Sequence, residues 1–144
     1  MLLAIDYGRK HFGLAIGDKN LKIAFPYQTI ENKGFGSVLN QIKAICQSIR
    51  RGSGLAPGLP KGQKEEIELI IIGRPLGMTG KKTRQTKLTD RFVAKLKRQI
   101  NIKIKVEDER LTSQAAEKFL TPSEHNHAVA AMIILQNYLD RIKQ

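Results

Sequence analysis

The chain has 144 residues, 41% of them hydrophobic, and carries 25 Lys plus Arg against 13 Asp plus Glu, a formal net charge of +12. That length predicts one domain, residues 1–144, large enough to fold without disulfides or structural metal, and it excludes a large multidomain enzyme. The single cysteine, Cys46, excludes an internal disulfide or a zinc site of several thiolates.

Leu2 to Asp6 is a short apolar run, and Phe12, Leu14 and Ile16 alternate with Gly13, Ala15 and Gly17 at the period of a strand. Ile23 to Ile30 reads as a third strand, and Pro26 places it at an edge or at a bulge because proline cannot donate to a ladder. The opening is therefore an expected antiparallel meander. Val38, Ile42, Ile45 and Ile49 recur at helical spacing, predicting an amphipathic helix from about Gly36 to Arg50. A Gly/Pro-rich loop from about 51 to 63 follows. Ile67 to Ile72 suits a central parallel strand buried on both faces, ended by Gly73.

From Lys81 to Gln99, Leu88, Phe92 and Leu96 form one helical stripe, and eight basic residues face only Asp90 as opposing charge. Ile102, Ile104 and Val106 alternate with Lys103, Lys105 and Glu107, predicting a strand with one wet face. Thr112 can cap a short helix carrying Ala115, Ala116, Phe119 and Leu120, and Thr121 to Glu124 forms a capping box before a last helix from Pro122 to about Lys143. Right-handed crossovers assemble these elements into an α/β fold, a mixed five-stranded sheet of a meander plus two parallel strands with helices on both faces. Ligand chemistry in such sheets lies at the carboxyl ends of the parallel strands.

The charge balance points to a polyanion, and to nucleic acid rather than a membrane, because no single basic amphipathic helix with aromatic anchors carries it. No signal peptide or membrane span is expected, and the composition suits the cytoplasm.

Three groups could carry chemistry. Asp6 ends the first strand beside Gly8, where no side chain obstructs a close ligand, although an acid there often only forms a turn. Asp108 and Glu109 follow the fifth strand, and strand parity puts one on the apolar side, where it needs a partner such as Arg110 or a metal. The sequence does not choose between these two acids. Glu124 and His127 share a helix face at i, i+3, as ligands of one ion must, but a capping role already accounts for Glu124.

Leu3 to Lys10, Gly13 to Ile16, Ile71 to Leu76, Asp108 to Ser113 and Ala130 to Leu139, in this order, resemble the YqgF family across nearly the whole chain. The resemblance implies an RNase H-like fold related to the RuvC resolvases, and a nuclease maturing the 5′ end of the precursor of small-subunit ribosomal RNA, with Holliday junction resolution as an alternative. It implies that Asp6 and the Asp108–Glu109 pair hold divalent metal, Mg or Mn. The family's third acid falls on His127. Because magnesium prefers oxygen, an imidazole there weakens a magnesium site or favours manganese, and Glu124 one turn earlier could supply the missing oxygen.

The expected catalytic set is thus Asp6, Asp108, Glu109, His127 and Glu124. Arg9, Lys10, Arg74, Lys81, Lys82 and Arg84 are the expected contacts to the phosphate backbone of ribosomal RNA precursor, branched DNA or ribosomal particles. A rival reading is a non-catalytic RNA-binding or ribosome-assembly module in which His127 marks a degenerate metal site. An actin-like ATPase also opens with Asp-x-Gly, but such folds need two domains of this kind.

Overall fold

The computed structural model describes residues 1–53, 61–109 and 127–142. Residues 54–60 of the Gly/Pro-rich loop, Arg110, the predicted short helix through Leu120 and the Thr121 to Glu124 capping box lie outside them. The described elements are β1 (Leu2–Asp6), β2 (His11–Asp18), β3 (Ile23–Glu31), α1 (Phe35–Arg51), β4 (Leu69–Arg74), α2 (Arg84–Gln99), β5 (Lys103–Asp108) and α3 (His127–Arg141).

The five strands form one sheet in the order β3-β2-β1-β4-β5. β1, β2 and β3 pair antiparallel, whereas β1–β4 and β4–β5 are parallel. Both consequences expected of Pro26 are present. β3 is an edge strand, and its register against β2 shifts between Leu14 and Ala15.

Strand alternation divides the apolar residues between two faces. Leu3, Ile5, Phe12, Leu14, Ile16, Ile70 and Ile72 pack with α1 and α2, while Leu2, Ala4, Ala15, Leu69 and Ile71 pack with Ala131, Ile134, Leu135 and Leu139 of α3. Small residues on the second face let α3 lie close. Gln136 fastens that helix to the sheet edge: its Oε1 accepts from Ala24 N at 3.0 Å, and its Nε2 donates to Lys22 O at 3.2 Å.

The boundaries of β4 and α2 and the wet face of β5 depart from expectation. β4 runs through Gly73 to Arg74, because Gly73 keeps its place in the ladder opposite Glu107. α2 begins at Arg84, not Lys81, since Thr83 caps it by accepting from Thr86 N, and Thr83 N donates in return to Thr86 Oγ1 at 3.0 Å. The wet face of β5 is also redistributed. Val106 is 37% exposed, whereas Glu107 is partly buried and held by Arg141, so the edge position of the strand overrides its alternation. Among the described residues no helix is long and apolar enough to cross a membrane.

Candidate active site at the carboxyl ends of the parallel strands

Asp6 is the last residue of β1 and pairs in register with Gly13 of β2. Its parity with Leu2 and Ala4 directs its carboxylate to the α3 side of the sheet, where its side chain is 15% exposed. Glu109 reaches the same side. It follows β5, continues the ladder by donating its N–H to Arg74 O at 3.1 Å, and shares parity with Lys105, whose ammonium sits 4.9 Å from the Tyr138 ring of α3. Asp6 and Glu109 are in hydrogen-bonding contact. A bond between two carboxyl groups requires one proton, and burial, the Asp6 charge and that bond, with a smaller push from the Asp108 charge, raise the Glu109 carboxyl to about 8. His127, at the start of the described part of α3, places Nδ1 3.4 Å from Asp6 Oδ2, and this contact raises the imidazole's pKa against the opposing effect of burial.

Three glycines make this convergence possible. A Cβ on Gly73 would stand 2.2 Å from Glu109 Oε1 and 2.5 Å from Ile134 Cδ1. On Gly13 it would meet the His127 carbonyl oxygen at 1.8 Å, and on Gly8 the His127 ring at 3.1 Å. Each is a close approach rather than a turn. The openness expected at Gly8 is filled by His11 backbone and His127.

The structure separates the two acids that the sequence leaves equivalent. Asp108 pairs in register with Arg74 and lies on the α2 side, beside Asp90 and Val106. Arg74, an expected phosphate contact, donates from Nε and an Nη to the two Asp90 oxygens at 2.8 and 3.0 Å. That bond lowers the Asp90 pKa and, with smaller contributions from the Asp90 and Asp108 charges, holds the Arg74 guanidinium more firmly protonated. Glu124 lies outside the described residues.

The remaining expected cations ring the same end of the sheet. Arg9 and Lys10 are exposed in the turn after Asp6, a turn pinned by Asn32, whose Nδ2 donates to Gly8 O and Arg9 O at 3.3 and 3.1 Å. Lys81, Lys82 and Arg84 are exposed where β4 leads into α2, and Gln85 ties that end to β1 by donating to Tyr7 O at 3.4 Å. Sequence reasoning missed Asn32, Gly13, Gly73 and His11, whose ring centroid lies 5.9 Å from that of His127. Gly13 and Gly73 stood within quoted motifs, but the role of each depends on residues distant in sequence, His127 for Gly13 and Glu109 with Ile134 for Gly73.

Asp6, Glu109 and His127 are not arranged as a ready coordination sphere: among the described residues no three His, Cys, Asp or Glu form a metal-ligand group. The donor chemistry of the carboxylate pair nevertheless fits a hard divalent cation. Two acids held together against their mutual repulsion gain most from replacing the shared proton with a cation.

A mixed five-stranded sheet of this order, flanked by helices, is an RNase H-like α/β fold. The family model described as RuvX, Holliday junction resolvase, matches residues 1–141, and the chain belongs to this family, also called YqgF. A Rickettsia typhi protein provisionally named a pre-16S rRNA nuclease is 36% identical over 151 residues, covering 99% of this chain and 86% of that protein. A Rickettsia africae protein of the same name is 33% identical over 150 residues, covering 99% and 87%. In fold, the chain is similar to T. thermophilus RuvC, solved in complex with a Holliday junction substrate, with TM-score 0.53 and 12% identity over 99% of this chain and 96% of that one.

Proposed function

We propose that this chain is a divalent-metal-dependent nuclease that hydrolyses phosphodiester bonds in the 5′-end maturation of the small-subunit ribosomal RNA precursor, acting in the cytoplasm on free or particle-bound RNA. The observation that carries the reading is the Asp6–Glu109 pair, two partly buried carboxyl groups in contact at the carboxyl ends of two strands. Family membership and the names of the Rickettsia relatives supply the substrate class.

Asp6 and Glu109 are the residues that would hold magnesium or manganese. Such an ion supplies water activation and neutralises charge developing on the phosphodiester. Glu109 must first release its proton, which its neighbour Asp6 retards. His127 orients the Asp6 carboxylate from the α3 side. Arg9, Lys10, Lys81, Lys82 and Arg84 steer the backbone toward the pair, whereas Arg74 acts through Asp90 to fix the end of β4.

The test is cleavage of labelled pre-16S RNA and of a four-way DNA junction, side by side, with magnesium, manganese or chelator. Metal-dependent cleavage of the RNA, lost in Asp6→Asn while binding persists, is the expected result. Activity surviving in that variant overturns the assignment of Asp6, and cleavage of the junction alone overturns the RNA substrate.

A second reading, the non-catalytic RNA-binding module, is favoured by one feature: His127 engages the Asp6 carboxylate that an ion would need. His127→Asp separates the two. A large gain in metal-dependent cleavage identifies a degenerate wild-type site, and a loss identifies a site adapted to imidazole.

A further inference from the structure

The outward face of α2 carries an unusual run of charge. The buried residues Thr86, Thr89, Phe92, Val93 and Leu96 define its inner face. On a helical wheel at 100° per residue, Arg84, Lys87, Arg91, Lys95 and Arg98 occupy the opposite side within one narrow arc. All five are exposed, and no carboxylate shares that arc. Among the described residues none of them forms an ion pair, although Lys95 also lies 5.1 Å from the Phe35 ring. The single acid of the helix, Asp90, lies on its flank and is taken by Arg74.

The first cation of the stripe, Arg84, stands at the carboxyl-end site, since the adjacent Gln85 bonds to Tyr7. From there the stripe descends about 21 Å, at 1.5 Å per residue. Measured along the axis of a B-form duplex, at 3.4 Å per base pair, that length spans about six base pairs. No aromatic side chain is exposed along it to stack unpaired bases.

We propose that this stripe is a track for the phosphate backbone of a base-paired arm flanking the cleavage site, read without regard to base sequence. The proposal rests on the nuclease reading and extends the substrate well beyond the scissile phosphate.

The test measures binding in chelator to duplex RNA and to single-stranded RNA of equal length, over a range of salt. One variant combines Lys87→Gln, Arg91→Gln and Arg98→Gln. A control removes equal charge elsewhere, with Lys61→Gln, Lys64→Gln and Lys103→Gln. The track variant is expected to bind duplex about tenfold or more weakly and to reduce the log–log salt slope by about 2.7, at 0.9 per lost phosphate contact, with an unchanged melting temperature. The control should barely change the slope. Equal losses in both variants, a loss confined to the single strand, or no binding by the wild type each overturns the track. A chain that cuts neither substrate yet shows the expected difference refutes the nuclease reading and leaves the track standing.

Discussion

Gly73 decides where the Glu109 carboxyl can sit, because a methyl group in its place would overlap Oε1 at 2.2 Å and Ile134 at 2.5 Å. Gly73→Ala is therefore expected to lose about 1–3 kcal/mol of stability through overpacking. It should also abolish metal-dependent cleavage by displacing Glu109, which thermal melts and the cleavage assay check together. The protonation of Glu109 gives a second prediction. Its folded value of about 8 exceeds its ordinary 4.5, so the folded chain keeps a proton that the unfolded chain has released. This group's contribution is complete below about 4.5 and is lost as pH rises toward 8, so metal-free stability falls across that window. The raised His127 acts in the same sense, its contribution present below about 6.5 and lost as pH passes its folded value. Melts in chelator should fall with pH in the wild type and flatten in Glu109→Gln. An equally steep decline in the variant would show that Glu109 does not carry it. Metal affinity should rise over the same window, since the cation must displace the shared proton.

At the scale of elements, α2 is placed by its cap and by one ion pair. Thr83→Ala removes the acceptor for Thr86 N and should cost about 1 kcal/mol, with Thr83→Ser nearly neutral, as denaturant titration reads out. Arg74 and Asp90 are partly exposed, so a double-mutant cycle should find a coupling of only about 1 kcal/mol or less. The paired lengths of strand and helix were legible because each carries its own periodicity: the β4 run, the α1 stripe and Pro26 at an edge all follow from local chemistry. Boundaries were less legible. The start of α2 depends on a Thr–Thr capping exchange, and the end of β4 on a glycine that elsewhere would terminate a strand. The choice between Asp108 and Glu109 was not local either. It follows from how β5 pairs with β4 and from the space over Gly73, neither of which the Asp-Glu dipeptide encodes.

At the scale of the molecule, a net charge of +12 announced a polyanionic partner but not its path. The fold sets exposed cations around the carboxyl ends of the parallel strands and along α2. Binding should accordingly weaken steeply with salt. The central claim is that Asp6 at the end of β1 and Glu109 just after β5 form the hydrolytic centre while Asp108 serves the Arg74 side. The most direct measurement compares pre-16S RNA cleavage by wild type, Glu109→Gln and Asp108→Asn in magnesium and in manganese. Activity reduced to background in Glu109→Gln and largely retained in Asp108→Asn is the predicted result. Retention in Glu109→Gln with loss in Asp108→Asn would contradict it.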